Sequence, residues 1–170
     1  FLVIVILFLF LGNFRTTLIS LTAIPLALIF SIFVLEFFDI TINTMTLGGM
    51  AIAIGVIVDD AIIDVENVFR RLRENSELPE AKQKPAIEVV FEGSKEIRSS
   101  IINATLIIMI VFIPLFFLSG IEGRMLQPLG LAYIISIGAS LVIAMTVTPA
   151  MCYYLLPSQA SKGKLKESWF

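Results

Sequence analysis

Histidine is absent from this chain, and cysteine and tryptophan occur once each. Without histidine there is no side chain that ordinarily titrates at neutral pH, and the commonest metal ligand is missing. Proton or cation chemistry therefore falls to carboxylates, methionines, hydroxyls and backbone carbonyls. A single cysteine, Cys152, excludes an intrachain disulfide. Its apolar surroundings mark it as an inert packing residue. Charge is scarce too. Asp, Glu, Lys and Arg make up 15% of the 170 residues, and a net charge of −2 leaves no basic face for nucleic acid.

What the chain does have is apolar surface. It is 58% hydrophobic, with a mean hydropathy of +0.97, well above the apolar share of a soluble domain. The fold class expected is all-α, a polytopic transmembrane helix bundle over residues 1–156. Residues 70–98 form a cytoplasmic loop, and 157–170 begin a cytoplasmic interfacial segment. Phe1–Leu11 is too short to cross a bilayer, which takes about 20 residues. It lacks the flanks of a signal peptide and reads as the end of a helix whose start precedes the sequence. Four longer apolar segments follow, at about Thr16–Phe38, Ile42–Phe69, Ser100–Leu118 and Leu126–Leu156. Backbone groups in hydrocarbon must bond internally, so spans of this length are helices. Pro25, Pro114 and Pro149 fall within them and are tolerated, with a kink possible at each.

The basic residues orient the bundle. Arg15, Arg70, Arg71, Arg73, Lys82, Lys84, Lys95, Arg98, Lys162, Lys164 and Lys166 fall on one side, and only Arg124 falls on the other. Positive loops stay in the cytoplasm. Between the spans, Leu78-Pro79-Glu80 reads as a helix start. Ala86, Ile87, Val90, Phe91 and Ile97 would line one face of a surface helix that Gly93 weakens. Trp169 and Phe170, near lysines, suit the headgroups of membrane lipid.

The third segment carries the chemistry. AIAIGVIVDDAIIDVENVF places Asp59, Asp60 and Asp64 within an apolar helix, with Glu66 beyond them. Carboxylates at bilayer depth are costly and mark ion or proton paths. The plainer alternative is simple pairing with a basic group on a neighbouring helix. No cation stands at similar depth in the sequence, so such a group would lie outside this chain. Asp60 and Asp64, four apart, share a helix face. Asp59 points about 100° away from Asp60, and Glu66 lies one face around from Asp59 and about two turns lower. The column runs from mid-membrane toward the cytoplasm. It could take up and release protons as a mobile cation approaches and withdraws. Gly48, Gly49, Ala51, Ala53 and Gly55 precede it in small-xxx-small spacing, which reads as close helix packing. Asn43 and Thr44 cap the acidic helix.

These residues carry a family resemblance. NTMTLGGMAIAIGVIVDDAIIDVENVFRRL resembles the fourth transmembrane helix of resistance-nodulation-division efflux permeases. LGNFRTTLISLTAIPLAL resembles the turn and helix before it, and TLIIMIVFIPLFFLSG and MTVTPAMCYYLL resemble the fifth and sixth helices. The resemblance covers nearly the whole chain. It implies that Asp59 and Asp60 form the proton-relay pair, with Glu66 and Asn67 matching the family's E-N. It also implies a homotrimeric, proton-driven pump of the bacterial inner membrane, served by a periplasmic adaptor and an outer-membrane channel. A relay lysine would stand on a helix outside this chain, and no cofactor is implied.

The string at Gly120, Glu122, Gly123, Arg124, Pro128 and Leu129 resembles the heavy-metal branch of that family. Two positions depart from that branch: Ala53 stands where some metal pumps carry aspartate, and Asp60 is an acid that many lack. Asp64 is an extra acid, read as a relay extension, a cation step or a tolerated group in a water-filled crevice. Methionines 45, 50, 109, 125, 145 and 151 could offer thioethers to soft metal ions, but serve equally as packing. The metal ligands stay unassigned. Multidrug efflux and a non-transporting accessory subunit remain open alternatives. An intramembrane aspartyl protease does not fit, because its two acids must face each other across helices and these share one.

Overall fold

A computed structural model describes residue 7 and residues 11–156. Apart from residues 7 and 11, the short first segment lies outside the described residues, as does the interfacial segment at 157–170. Among the described residues there are four helices long and apolar enough to cross a membrane and no strands. They are α1 (Phe14–Phe37), α2 (Thr44–Glu77), α3 (Ala86–Phe112) and α4 (Gly120–Leu155). The all-α bundle read from the sequence is the fold observed.

Each boundary has a local cause. Asn13 caps α1, its side chain accepting from the Arg15 amide at 3.4 Å. Pro25 sits inside α1 without ending it. The chain reverses through Asp39, whose φ of 54° is left-handed, and Asn43 then caps α2. Its side chain accepts from the amides of Met45 (2.8 Å) and Thr46 (3.0 Å). The reciprocal bond runs from the Asn43 amide to the hydroxyl of Thr46 at 2.7 Å. Thr44 is the helix's first residue, so Thr46 completes the capping box.

Two expectations for the polar segment are corrected. Leu78-Pro79-Glu80 does not start a helix of any length; only one 3₁₀ turn, Glu80–Lys82, forms there. The segment is held instead against the end of α2. Asn75 donates to the Lys84 carbonyl (3.0 Å) and accepts from its amide (2.8 Å), and Gln83 donates to the Leu78 carbonyl (2.9 Å). α3 then starts after Pro85 and runs unbroken to Phe112, so the surface helix and the span are one rod. Its buried face is Val89, Val90, Gly93 and Ser94; of the face expected, Val90 is buried and Ala86 packs against the core, while Ile87 and Phe91 are exposed. Gly93 lies within the unbroken helix. It is the crossing point, where a Cβ would meet the Cα of Val68 at 3.4 Å.

Pro114 lies in a 3₁₀ turn, Ile113–Phe117, that ends α3 rather than kinking it. α4 begins at Gly120, earlier than its apolar run. Gly120 adopts φ +76°, and a Cβ at Gly123 would overlap the Leu118 carbonyl. The glycines of the Gly120–Leu129 string thus build the turn.

α2 packs against all three of the other helices, most extensively against α4. One core cluster, at the end where the basic residues of α2 lie, joins Ile19, Val65, Val68, Leu72, Val89, Val90, Cys152 and Leu156. A central cluster joins Ala27, Ala53, Ile57, Tyr133 and Ile137, with Phe112 stacked on Tyr133 at 4.1 Å. A third joins Leu35, Met50 and Ala132. The small residues act unequally: a Cβ at Gly49 would overlap the Leu129 carbonyl, whereas Gly55 has open space beside it. The hydroxyls of Ser31 and Ser136 bond across the α1–α4 contact at 2.8 Å, replacing water where hydrocarbon offers no partner.

Candidate functional site

α2 rises about 51 Å over its 34 residues at 1.5 Å each. Counting from Thr44, Asp60 lies about 24 Å along the axis and Asp64 about 30 Å. The hydrocarbon layer is about 30 Å thick. The acids therefore approach the side that carries Arg70, Arg71 and Arg73.

The four acids divide between two faces. Ile52, Gly55, Asp59, Ile63, Glu66 and Arg70 form one exposed stripe. Asp59 and Glu66 stand seven residues apart, close to two full turns. The expectation that Glu66 lies a face away from Asp59 is thereby corrected. Asp60 is half-buried and Asp64 is only 3% exposed. Each has a buried Oδ2 with no hydrogen-bond partner. One aspartate of the adjacent pair thus looks out of the bundle and its neighbour looks in. Ser20 of α1 fixes the backbone beside them, donating to the Ala61 carbonyl at 3.4 Å.

Around Asp64 the structure adds residues that sequence reading missed. A cleft with about 10 Å³ of room is lined by Asp64, Ser94, Arg98, Ile101, Leu141, Ala144 and Met145. Arg98 is thus a cation beside an intramembrane acid, supplied by this chain. That corrects the expectation that any such cation lies elsewhere, so far as Asp64 is concerned. The signal was available in Ser94 and Arg98, spaced four apart on α3, but only if the surface helix is known to run on into the span as one rod.

Asn67 has a structural position. It is buried and donates to the Gly93 carbonyl at 2.7 Å, while accepting from Arg70 at 2.8 Å. Arg71 beside it grips Glu96 of α3 through two bonds, at 2.9 and 2.6 Å. Beyond them Lys84 reaches Glu92 at 2.7 Å and Glu88 at 3.3 Å. Those carboxylates, Glu92 foremost, hold its ammonium protonated to higher pH than that of an isolated lysine.

The methionines mostly pack. Met50 is core, and Met109 and Met151 lie against core clusters. Met145 lines the Asp64 cleft, and Met125 is 45% exposed. Among the described residues, no group of three or more His, Cys, Asp or Glu converges as a metal site.

Three apolar helices packed against one acidic helix, all four long and apolar enough to cross a membrane, make a polytopic membrane bundle. A family model described as AcrB/AcrD/AcrF matches residues 1–170, and the chain belongs to that family, the resistance-nodulation-division permeases. It is 38% identical over 163 residues to the Swarming motility protein SwrC of Bacillus subtilis (strain 168), covering 96% of this chain and 15% of that protein. It is 41% identical over 152 residues to the Cobalt-zinc-cadmium resistance protein CzcA of Cupriavidus metallidurans, covering 88% and 14%. To the Multidrug resistance protein MdtC of Salmonella heidelberg it is 35% identical over 166 residues, covering 98% and 15%. The chain thus spans about 15% of the length of these curated relatives.

Proposed function

We propose that the permease carrying this sequence exports cargo from a bacterial cell by exchanging it for protons across the inner membrane. The observation that carries this reading is the Asp59–Asp60 pair. Two adjacent carboxylates sit at membrane depth, one on an open stripe and one turned inward with an unpartnered oxygen. A cation on another helix can approach Asp59 from the open side and hold the pair ionised. When it withdraws, like-charge repulsion in a poorly solvated setting favours uptake of a proton. Asp64 and Glu66 continue toward the basic, cytoplasmic end and extend the path.

Heavy-metal cations are the proposed cargo. The support is the Gly120–Leu129 string with Glu122 and Arg124, together with the likeness to a relative named for cobalt, zinc and cadmium resistance. The likeness to a relative named for multidrug resistance favours organic cargo as a second reading. The assembly proposed is a homotrimer in membrane lipid, joined to a periplasmic adaptor and an outer-membrane channel.

The test uses the full-length permease in everted membrane vesicles. Asp59→Asn and Asp60→Asn should each abolish proton-driven efflux with expression and assembly intact, since asparagine keeps the shape but cannot carry the proton. Efflux at the wild-type rate in either variant removes that residue from the relay. Running zinc and a cationic dye in parallel decides the cargo, and transport of neither by the unaltered protein would favour a non-transporting subunit.

A further inference from the structure

We propose that Arg98 and Ser94 of α3 are the resident partners of Asp64, closing around one water to form a carboxylate–water–guanidinium station between α2 and α3. The assembly of this station does not depend on the transport reading; only its place along a proton path rests on that reading.

Three observations support the station. Asp64 is 3% exposed and Ser94 is 5% exposed. Asp64 Oδ2 and Ser94 Oγ are both buried and neither makes a hydrogen bond of good geometry, while the two side chains lie close enough to act on each other. Buried polar groups are satisfied by protein or by ordered water in all but a few cases. Both residues line one cleft with Arg98, and its room of about 10 Å³ is close to that of a single water. A buried water needs two to four polar partners, and this cleft offers a carboxylate, a hydroxyl and a guanidinium.

The helical geometry makes the arrangement specific. Ser94 and Arg98 are four apart on α3 and so project to the same side. Among the described residues no direct ion pair joins Arg98 to Asp64, which fits a bridge through water. The remaining lining, Ile101, Leu141, Ala144 and Met145, is apolar. Other groups that could act on Asp64 are few. α4 brings the buried thiol of Cys152 within electrostatic reach. α1 brings the hydroxyl of Ser20, already engaged with Ala61, and its charged residues, Arg15 and Glu36, stand near its ends. On α2 itself Asp60 lies one turn away. Arg98 is thus the cation placed to compensate Asp64, and Ser94 positions the water between them.

The test reads the state of Asp64 without reading transport. The purified full-length permease is treated at neutral pH with dicyclohexylcarbodiimide, which modifies protonated carboxyls in apolar settings, and the Asp64 adduct is quantified by mass spectrometry. A neighbouring opposite charge biases a carboxyl toward its ionised form by roughly tenfold or more. Arg98→Gln should therefore raise the Asp64 adduct roughly tenfold, with the Asp60 adduct little changed. Arg98→Lys, smaller but still charged, should stay near wild type, which separates charge from access. Ser94→Ala should raise the adduct to a lesser degree and decides the matter if Arg98→Gln fails to assemble. An Asp64 adduct in assembled Arg98→Gln equal to that of the wild type overturns the proposal. Loss of efflux in the aspartate variants leaves this readout untouched.

Discussion

Replacing Gly49 by alanine should destabilise the bundle, while the same change at Gly55, on the same helix, should not. A Cβ at Gly49 would overlap the Leu129 carbonyl oxygen and lie 3.1 Å from both the Leu129 carbonyl carbon and the Tyr133 amide. These are backbone atoms of α4, so no rotamer change relieves the clash and the helices must part. Overpacking costs about 1–3 kcal/mol, and a backbone obstacle belongs at the upper end. Alanine recovers about 1 kcal/mol of helix propensity over glycine. The net loss at Gly49 is then about 2 kcal/mol. At Gly55 nothing stands within 4 Å, so only the propensity gain remains. Reversible unfolding of the permease in mixed micelles measures both. Gly49→Ala as stable as wild type, or Gly55→Ala the worse of the two, would refute the reasoning that α2 and α4 touch backbone to backbone at Gly49.

Single cysteines at Asp39 and Glu122 should react with an impermeant maleimide from the periplasm, and one at Gln83 should not, given the eleven-to-one division of basic residues; labelling at Gln83 from outside would invert the topology. Asn67→Ala should cost about 1 kcal/mol by removing the buried bond it adds to the Gly93 carbonyl, which keeps its own intrahelical bond, a loss measured in the same micelle assay. Arg71→Ala should cost less, because its ion pairs with Glu96 and Glu74 lie on the surface. The reverse order would mean that the charges, not the buried amide, hold α2 to α3.

The spans were legible because each is a long apolar run, and the acids were legible because charge in such a run stands out. Asn43 was legible as a cap because asparagine before a helix has a defined partner two or three residues on. What was hidden depends on the neighbours. Whether Asp59 or Asp60 faces outward is decided by where α1, α3 and α4 lie, and spacing along α2 gives only their relative angle. Arg98 was hidden for a related reason. Ser94 and Arg98 fall in or beside a separate surface helix, outside the bilayer, when the fourth span is started at Ser100. The span in fact continues that helix as one rod from Ala86, since Val89, Val90 and Gly93 find a packing partner in α2 that a hydropathy run does not register.

The acids sit between two fixed points on α2. Near one end Gly49 holds the helix against the backbone of α4. Near the other, Asn67 bonds the Gly93 carbonyl and Arg71 grips Glu96, holding it to α3. Both contacts are short and leave little room for α2 to slide along its axis without breaking one of them. A change of charge at Asp59 or Asp60 is therefore more easily answered by rotation of side chains, or by movement of whatever faces the open stripe, than by translation of α2 itself. Asp64 lies closer to the Asn67 contact than to the Gly49 contact, and its cleft is walled by α3 and α4 as well as α2. A shift that opens this cleft on its α3 side must move α3 relative to α2, and the Asn67–Gly93 bond directly opposes that motion. Variants that loosen this bond should for that reason act on Asp64 before they act on the Asp59–Asp60 pair.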